Sequence, residues 1–294
     1  NFPSTPDVKY PNDPTDPTKP GQPVVPDVPG YEPHLPDPKD PTKPGQPIQP
    51  GTPVTPDKPG EDTPIIYVPK TNDVTQPTKQ TVTFEGAGST TPKDDVQSDY
   101  TFTGKKNQAD GTTTWTENSH TYGRESVPVV SGYYADKSEA GRKTVTPGNP
   151  NAEDVVTYKP LGKIIQVDED GNVIPNSTSV TYNNNPSNPK EAAETKIPDA
   201  PTGYVIKEEQ PQAWGYNIVD KTIEPNDESD PDRISQDTKI VYVKADQKAV
   251  ITYVDQTTGQ TLANDQVGGK SGEAISYSTA DKIKYYEDRG YVLV

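Results

Sequence analysis

Apolar and polar positions alternate in short bursts separated by turn-forming residues, which is the signature of brief, half-buried β-strands. Thr81-Val82-Thr83-Phe84, Tyr100-Thr101-Phe102-Thr103, Thr112-Thr113-Thr114-Trp115-Thr116 and Val155-Val156-Thr157-Tyr158 are rich in β-branched and aromatic residues, and Val127-Pro128-Val129-Val130 continues the pattern. Further strands are predicted at Ile65–Val68, Lys163–Val167, Ser179–Tyr182, Tyr204–Ile206, Lys239–Val243 and Ala249–Val254. Ala109-Asp110-Gly111, Asp168–Asn172 and Asp255–Gly259 sit between or after strands as turns. One helix is expected after Ser278-Thr279-Ala280-Asp281. Ser278 or Thr279 can cap it, Ile283 and Tyr286 share a face, and Gly290 ends it. A strand, a hairpin and a short helix over 247–294 predict a β-grasp-like unit.

The first seventy residues follow a different rhythm. Prolines recur at every third position from Pro11 to Pro29 and again from Pro38 to Pro59. Polyproline II has three residues per turn, so this phasing predicts an extended spacer, each series reaching roughly 60–70 Å. The octapeptide Asp-Pro-Thr-Lys-Pro-Gly-Gln-Pro occurs at 16–23 and at 40–47, a duplication with a period of 24 (40 − 16).

A longer repeat runs beneath this. Tyr10–Pro17 matches Tyr182–Pro189 at an offset of 172, Gly30-Tyr31 matches Gly203-Tyr204 at 173, and Ile65–Val68 matches Ile240–Val243 at 175. Residues 1–70 therefore read as a proline-rich spacer or as a degenerate copy of 161–246. A looser echo joins Asp168…Gly203-Tyr204-Val205 to Asp255…Gly290-Tyr291-Val292, each Asp-to-Gly interval being 35 residues. The expected organisation is 1–70 spacer or degenerate repeat, 71–160 β domain, 161–246 β repeat and 247–294 truncated β-grasp-like repeat. The fold class is thus mainly β with minor α, as tandem small repeats in an elongated array.

Composition narrows the function. Only 28% of the 294 residues are hydrophobic and 35 are proline, which argues against a single large core. A net charge of −16 repels nucleic acid and anionic lipid. No run is long enough for a membrane-spanning helix. With no cysteine and only His34 and His120, thiol and histidine chemistry have no basis, so no enzyme and no cofactor are expected. Asp168-Glu169-Asp170-Gly171-Asn172 resembles part of a calcium loop, but the spacing is incomplete and a hairpin turn accounts for it. Asp227–Asp232 reads as a solvated acidic loop. Trp214, Tyr216 and Trp115 are the ligand-binding candidates, because an aromatic face suits the C–H side of a sugar ring, although sheet packing is the competing reading of a tryptophan.

The order of these motifs resembles the mucus-binding (MucBP, or Mub-type) repeats of lactic-acid bacterial surface proteins. Ile251–Asp255, Thr257-Thr258-Gly259, Ser278–Asp281 and Gly290-Tyr291 carry the resemblance over 248–294. Thr81–Phe84, Thr114–Thr116, Val129–Tyr133 and Val156–Pro160 are similar to the other Mub sub-domain. Residues 1–68 and 161–246 resemble the proline-rich repeats that accompany them. The resemblance implies an extracellular Gram-positive adhesin, attached to the cell wall through a region outside these residues. Its expected partners are neighbouring repeats and host mucin or other glycoprotein glycans, bound by many weak contacts. The alternative is a non-binding stalk that projects a separate adhesive domain.

Overall fold

The computed structural model describes residues 7–56, 58 and 60–294. They are mainly β; among them Ala280–Glu287 is the one α-helix, with two short 3-10 turns at Gly88–Thr90 and Pro231–Ser235. The chain divides into two units. One comprises the residues up to Val82 with Asp95–Arg124 and Gly141–Asp154; the other comprises Thr83–Asp94, Glu125–Ala140 and Val155–Val294.

In the first unit the proline-rich segment folds. Strand Tyr31–Pro36 lies between Pro44–Pro47 and Ile66–Pro69 in a three-stranded antiparallel sheet. The 24-residue duplication builds the same hairpin twice. Asn12 bridges Pro20 and the Asp13 N–H donates to the Lys19 carbonyl at 3.1 Å; Pro36 pairs with Pro44 and the Asp37 N–H donates to the Lys43 carbonyl at 2.9 Å. At each tip an Asp carboxylate accepts from a Thr backbone N–H and hydroxyl, Asp16 from Thr18 and Asp40 from Thr42. The extended polyproline spacer is therefore corrected. Prolines at hairpin positions that need no donor allow the segment to pair with itself, and Val25 and Val28 are buried beneath it. Pro59 and residues 1–6 lie outside the described residues.

The same unit holds a second sheet, Thr71–Pro77 against Thr101–Asn107 against Thr113–Trp115. Phe102, Tyr122 and Val145 form its core, with Tyr100, Trp115 and Ala152 packed on it. His120 stacks on Tyr100 with ring centroids 3.7 Å apart, and His34 bonds the Gly45 carbonyl through Nδ1 at 2.9 Å. Buried Gln80 staples backbone: its amide donates to the Gly123 carbonyl at 3.2 Å and accepts the Lys143 N–H at 2.8 Å.

In the second unit the core gathers Tyr134, Leu161, Ile164, Ile174, Tyr182, Ile197, Ile223, Ile234, Ile240 and Tyr242. Strand Thr238–Lys244 is its axis, with Lys163–Val167 parallel on one side and Tyr204–Ile206 antiparallel on the other. Val127–Val130 is not a strand: Val127 and Val130 are buried in irregular chain before the turn at Gly132. The segment 247–294 is the hairpin Asp246–Val254 with Thr261–Lys270, followed by the helix. Ser278 Oγ accepts the Ala280 N–H at 3.2 Å, and Gly290, with φ +88°, closes the helix as its N–H reaches Glu287 and the Tyr291 N–H reaches Tyr286.

The long-range repeat is structural as well as sequential. Tyr31 pairs with Pro69 as Tyr204 pairs with Lys244, and Pro33 with Tyr67 as Ile206 with Tyr242. Gly30 and Gly203 both adopt a positive φ, +83° and +84°. The Tyr67 hydroxyl donates to the Pro26 carbonyl at 2.7 Å, and the Tyr242 hydroxyl donates to that of Pro198 at 3.0 Å. Residues 161–246 and the proline-rich segment are two renderings of one fold.

Candidate functional site

Trp115 and Trp214 are placed very differently. Trp115 ends strand Thr113–Trp115 opposite Gly104, half-buried, with its ring 6.4 Å from that of Phe102. A Cβ on Gly104 would stand 2.9 Å from the indole, so the glycine makes room for a packed ring. Trp115 is a sheet-packing residue of the first unit.

Trp214 belongs to the second unit and is 45% exposed. Gly215, with φ +67°, turns the chain beneath it; a Cβ there would collide with the carbonyl of Glu224. The indole N–H donates to the Asn226 carbonyl at 3.3 Å, which fixes the ring on the surface. The Arg233 guanidinium lies 5.1 Å from the ring centroid, within the range of a cation–π contact. Tyr216 starts the strand pair Tyr216–Asn217 with Thr222–Ile223; its ring packs against the core, and burial, reinforced by Glu208, pushes its phenol up. Ile218 and Val219, on the same hairpin, are 53% and 84% exposed. Trp214 thus offers a face to solvent, whereas Tyr216 is anchored from within. The Ile218-Val219 tip could not be read from the sequence, because its alternation is too short to separate core from surface.

The acidic loop beside this platform is a turn whose carboxylates are engaged. The Ser229 hydroxyl and backbone N–H hold Asp227 below the usual carboxylate range. Lys159 at 2.9 Å and the Tyr134 hydroxyl at 2.7 Å do the same for Asp232. Asp168 Oδ1 accepts the N–H groups of Asp170 and Asn172, so Asp168–Asn172 is a turn. Among the described residues no group of three or more His, Cys, Asp or Glu is arranged to hold a metal ion, and no helix is long and apolar enough to cross a membrane.

Two family models match the chain. Residues 69–162 match the Muc B2-like domain, and residues 247–294 match the mucin binding domain MucBP_2. These two segments are thus similar to MucBP-type repeat domains. Neither matched family is a catalytic one. Among solved structures, a MucBP domain of a Lactobacillus acidophilus protein is 27% identical, covering 31% of this chain and 97% of that one with a TM-score of 0.24. The mucin-binding domain of a Streptococcus pneumoniae protein is 18% identical, covering 31% and 97% with a TM-score of 0.26. The type 2 repeat of the mucus binding protein MUB from Lactobacillus reuteri is 17% identical, covering 45% and 76% with a TM-score of 0.26. No curated protein matches the chain.

Proposed function

We propose that this chain is the repeat region of an extracellular, cell-wall-attached adhesin that holds host mucin-type glycoproteins by many weak contacts. The observation that carries the reading is the presence of two different mucin-associated domain families in one chain, at 69–162 and 247–294. The acidic, cysteine-free composition agrees with it. Tandem repeats multiply contacts, so a single weak face suffices.

Within this reading Trp214 is the sugar-contacting ring. Its exposed indole stacks on a pyranose face, and its N–H is already used, so recognition is by shape and C–H contact. Tyr216 sets the turn that presents it, and Trp115 contributes to folding. The reading requires no cofactor. Retention of the multimerised chain on immobilised mucin tests it: retention supports adhesion, and passage at high valency supports the stalk, with adhesion supplied by a separate domain.

A further inference from the structure

A buried side chain ties together two separate stretches of the second unit. Gln166, 1% exposed, bonds both. Its Nε2 donates to the Asp199 carbonyl at 2.8 Å, and its Oε1 accepts the Thr178 N–H at 3.1 Å. The first stretch is the turn 174–178, where the Ser177 N–H donates to the Ile174 carbonyl at 3.1 Å and Asn176 sits in the left-handed region at φ +58°. The second is the loop 198–204. The Tyr242 hydroxyl holds its Pro198 carbonyl at 3.0 Å, and the Tyr204 N–H donates to the Pro201 carbonyl at 2.9 Å. Pro175, Pro198 and Pro201 stiffen both stretches.

Between them lies a cavity of about 370 Å³, lined by Asn176, Ser177, Thr178, Asp199, Thr202 and Tyr204 as well as Gln166. Elsewhere this chain spends its polar turn residues on its own backbone: Asp16 accepts from Thr18, Asp168 from Asn172 and Asp227 from Ser229. Here it does not. Among the described residues, the side chains of Asn176, Ser177, Thr178, Asp199 and Thr202 make no hydrogen bond or ion pair with the rest of the chain. An amide, a carboxylate and a set of hydroxyls therefore stand unspent on walls that Gln166 has already fixed. No lysine, arginine or histidine lines the cavity, so nothing there balances a negative charge brought beside Asp199.

We propose that this cleft binds a neutral hexopyranose. The Asp199 carboxylate and the Asn176 amide supply acceptors and donors for adjacent sugar hydroxyls, and the Ser177, Thr178 and Thr202 hydroxyls serve as either. The Tyr204 ring offers an apolar face to the sugar C–H groups. Walls pinned from within keep the cost of ordering the site low. The lone carboxylate selects against acidic sugars. The inference goes beyond the adhesin reading: it concerns monosaccharide binding by the single chain, so it and the Trp214 face can each fail alone.

The full chain, labelled with nitrogen-15 and titrated with the methyl glycosides of galactose, glucose, mannose, N-acetylgalactosamine and N-acetylglucosamine, tests this through its amide NMR shifts. Saturable shifts centred on 174–178 and 199–204 are expected with at least one of these sugars, with a Kd on the order of 1 mM. Asp199→Ala and Thr202→Ala, both at exposed positions, should each weaken that binding about five- to tenfold without unfolding the chain. The methyl glycoside of N-acetylneuraminic acid, which carries a carboxylate, should bind about tenfold weaker or worse. Absence of saturable shifts with every neutral sugar would overturn the proposal. So would shifts centred on 212–219, binding that both variants leave unchanged, or an acidic sugar held as tightly as the neutral ones.

Discussion

The hydroxyl of Tyr182 lies 2.6 Å from Oγ1 of Thr238, 56 residues away in sequence, and also donates to the carbonyl of Gln236 at 2.9 Å. The pair ties the turn-rich middle of the repeat to its axial strand, and the proline-rich segment repeats it with Tyr10 and Thr63. Polar ties of this kind, made by tyrosine, replace the larger apolar core that the composition does not supply.

Tyr242→Phe tests the same logic deeper in the core. The Tyr242 hydroxyl donates to the Pro198 carbonyl and accepts from the Gln166 amide at 3.0 Å. Its removal takes one partner from each, while the Gln166 amide keeps the Asp199 carbonyl at 2.8 Å. The expected loss is roughly 1–3 kcal/mol of unfolding free energy, read by urea denaturation. An unchanged midpoint would mean that the Gln166 amide repairs itself.

Gly86→Ala should destabilise the second unit. Gly86 has φ +96°, and an added Cβ would collide with the carbonyl of Tyr158. Strain plus close approach predicts a loss of about 1–3 kcal/mol in thermal or urea unfolding. Gly111→Ala, with a similar φ of +76° and open space around it, should cost less.

Acid should weaken the Asp232 tie. Lys159, then Tyr134, hold this carboxyl below its ordinary value, so it binds a proton more readily unfolded than folded. Its stabilising contribution is present above the ordinary carboxylate value of about 4 and disappears as pH falls through the lower folded value. The melting temperature of the wild type should exceed that of Asp232→Asn at pH 7, and the two curves should converge at pH below about 3. A constant gap across pH would contradict the assignment.

Trp214→Ala and Trp115→Ala should separate function from folding. Trp214 is exposed and held by one hydrogen bond, so its loss should weaken mucin retention by about tenfold per engaged site while barely moving the melting temperature. Trp115 packs on Phe102, so its loss should cost roughly 2–4 kcal/mol of stability. Surface plasmon resonance and calorimetry on the two variants read both effects.

Much of the β architecture was legible from alternation. Lys163–Val167, Tyr204–Ile206, Thr238–Lys244 and the helix near Ser278 fall where the pattern puts them, and the offsets of 172–175 announce a shared register. The misses have physical causes. Tyr31–Pro36 and Pro44–Pro47 contain prolines, which lack the ladder donor, and three-residue phasing mimics polyproline II although the prolines occupy paired hairpin positions. Thr71–Pro77 is almost wholly polar, and Thr261–Lys270 carries Gly268-Gly269, so neither announces itself by β-propensity. The separation of Trp214 from Trp115 depends on Gly104 and Gly215, whose roles are visible only once the chain is folded.

Binding of the multimerised chain to immobilised mucin, before and after mild periodate oxidation of the mucin glycans, tests the central claim most directly. Retention on intact mucin and its loss after oxidation are expected. Absence of retention on both surfaces, or retention that oxidation leaves untouched, would contradict it.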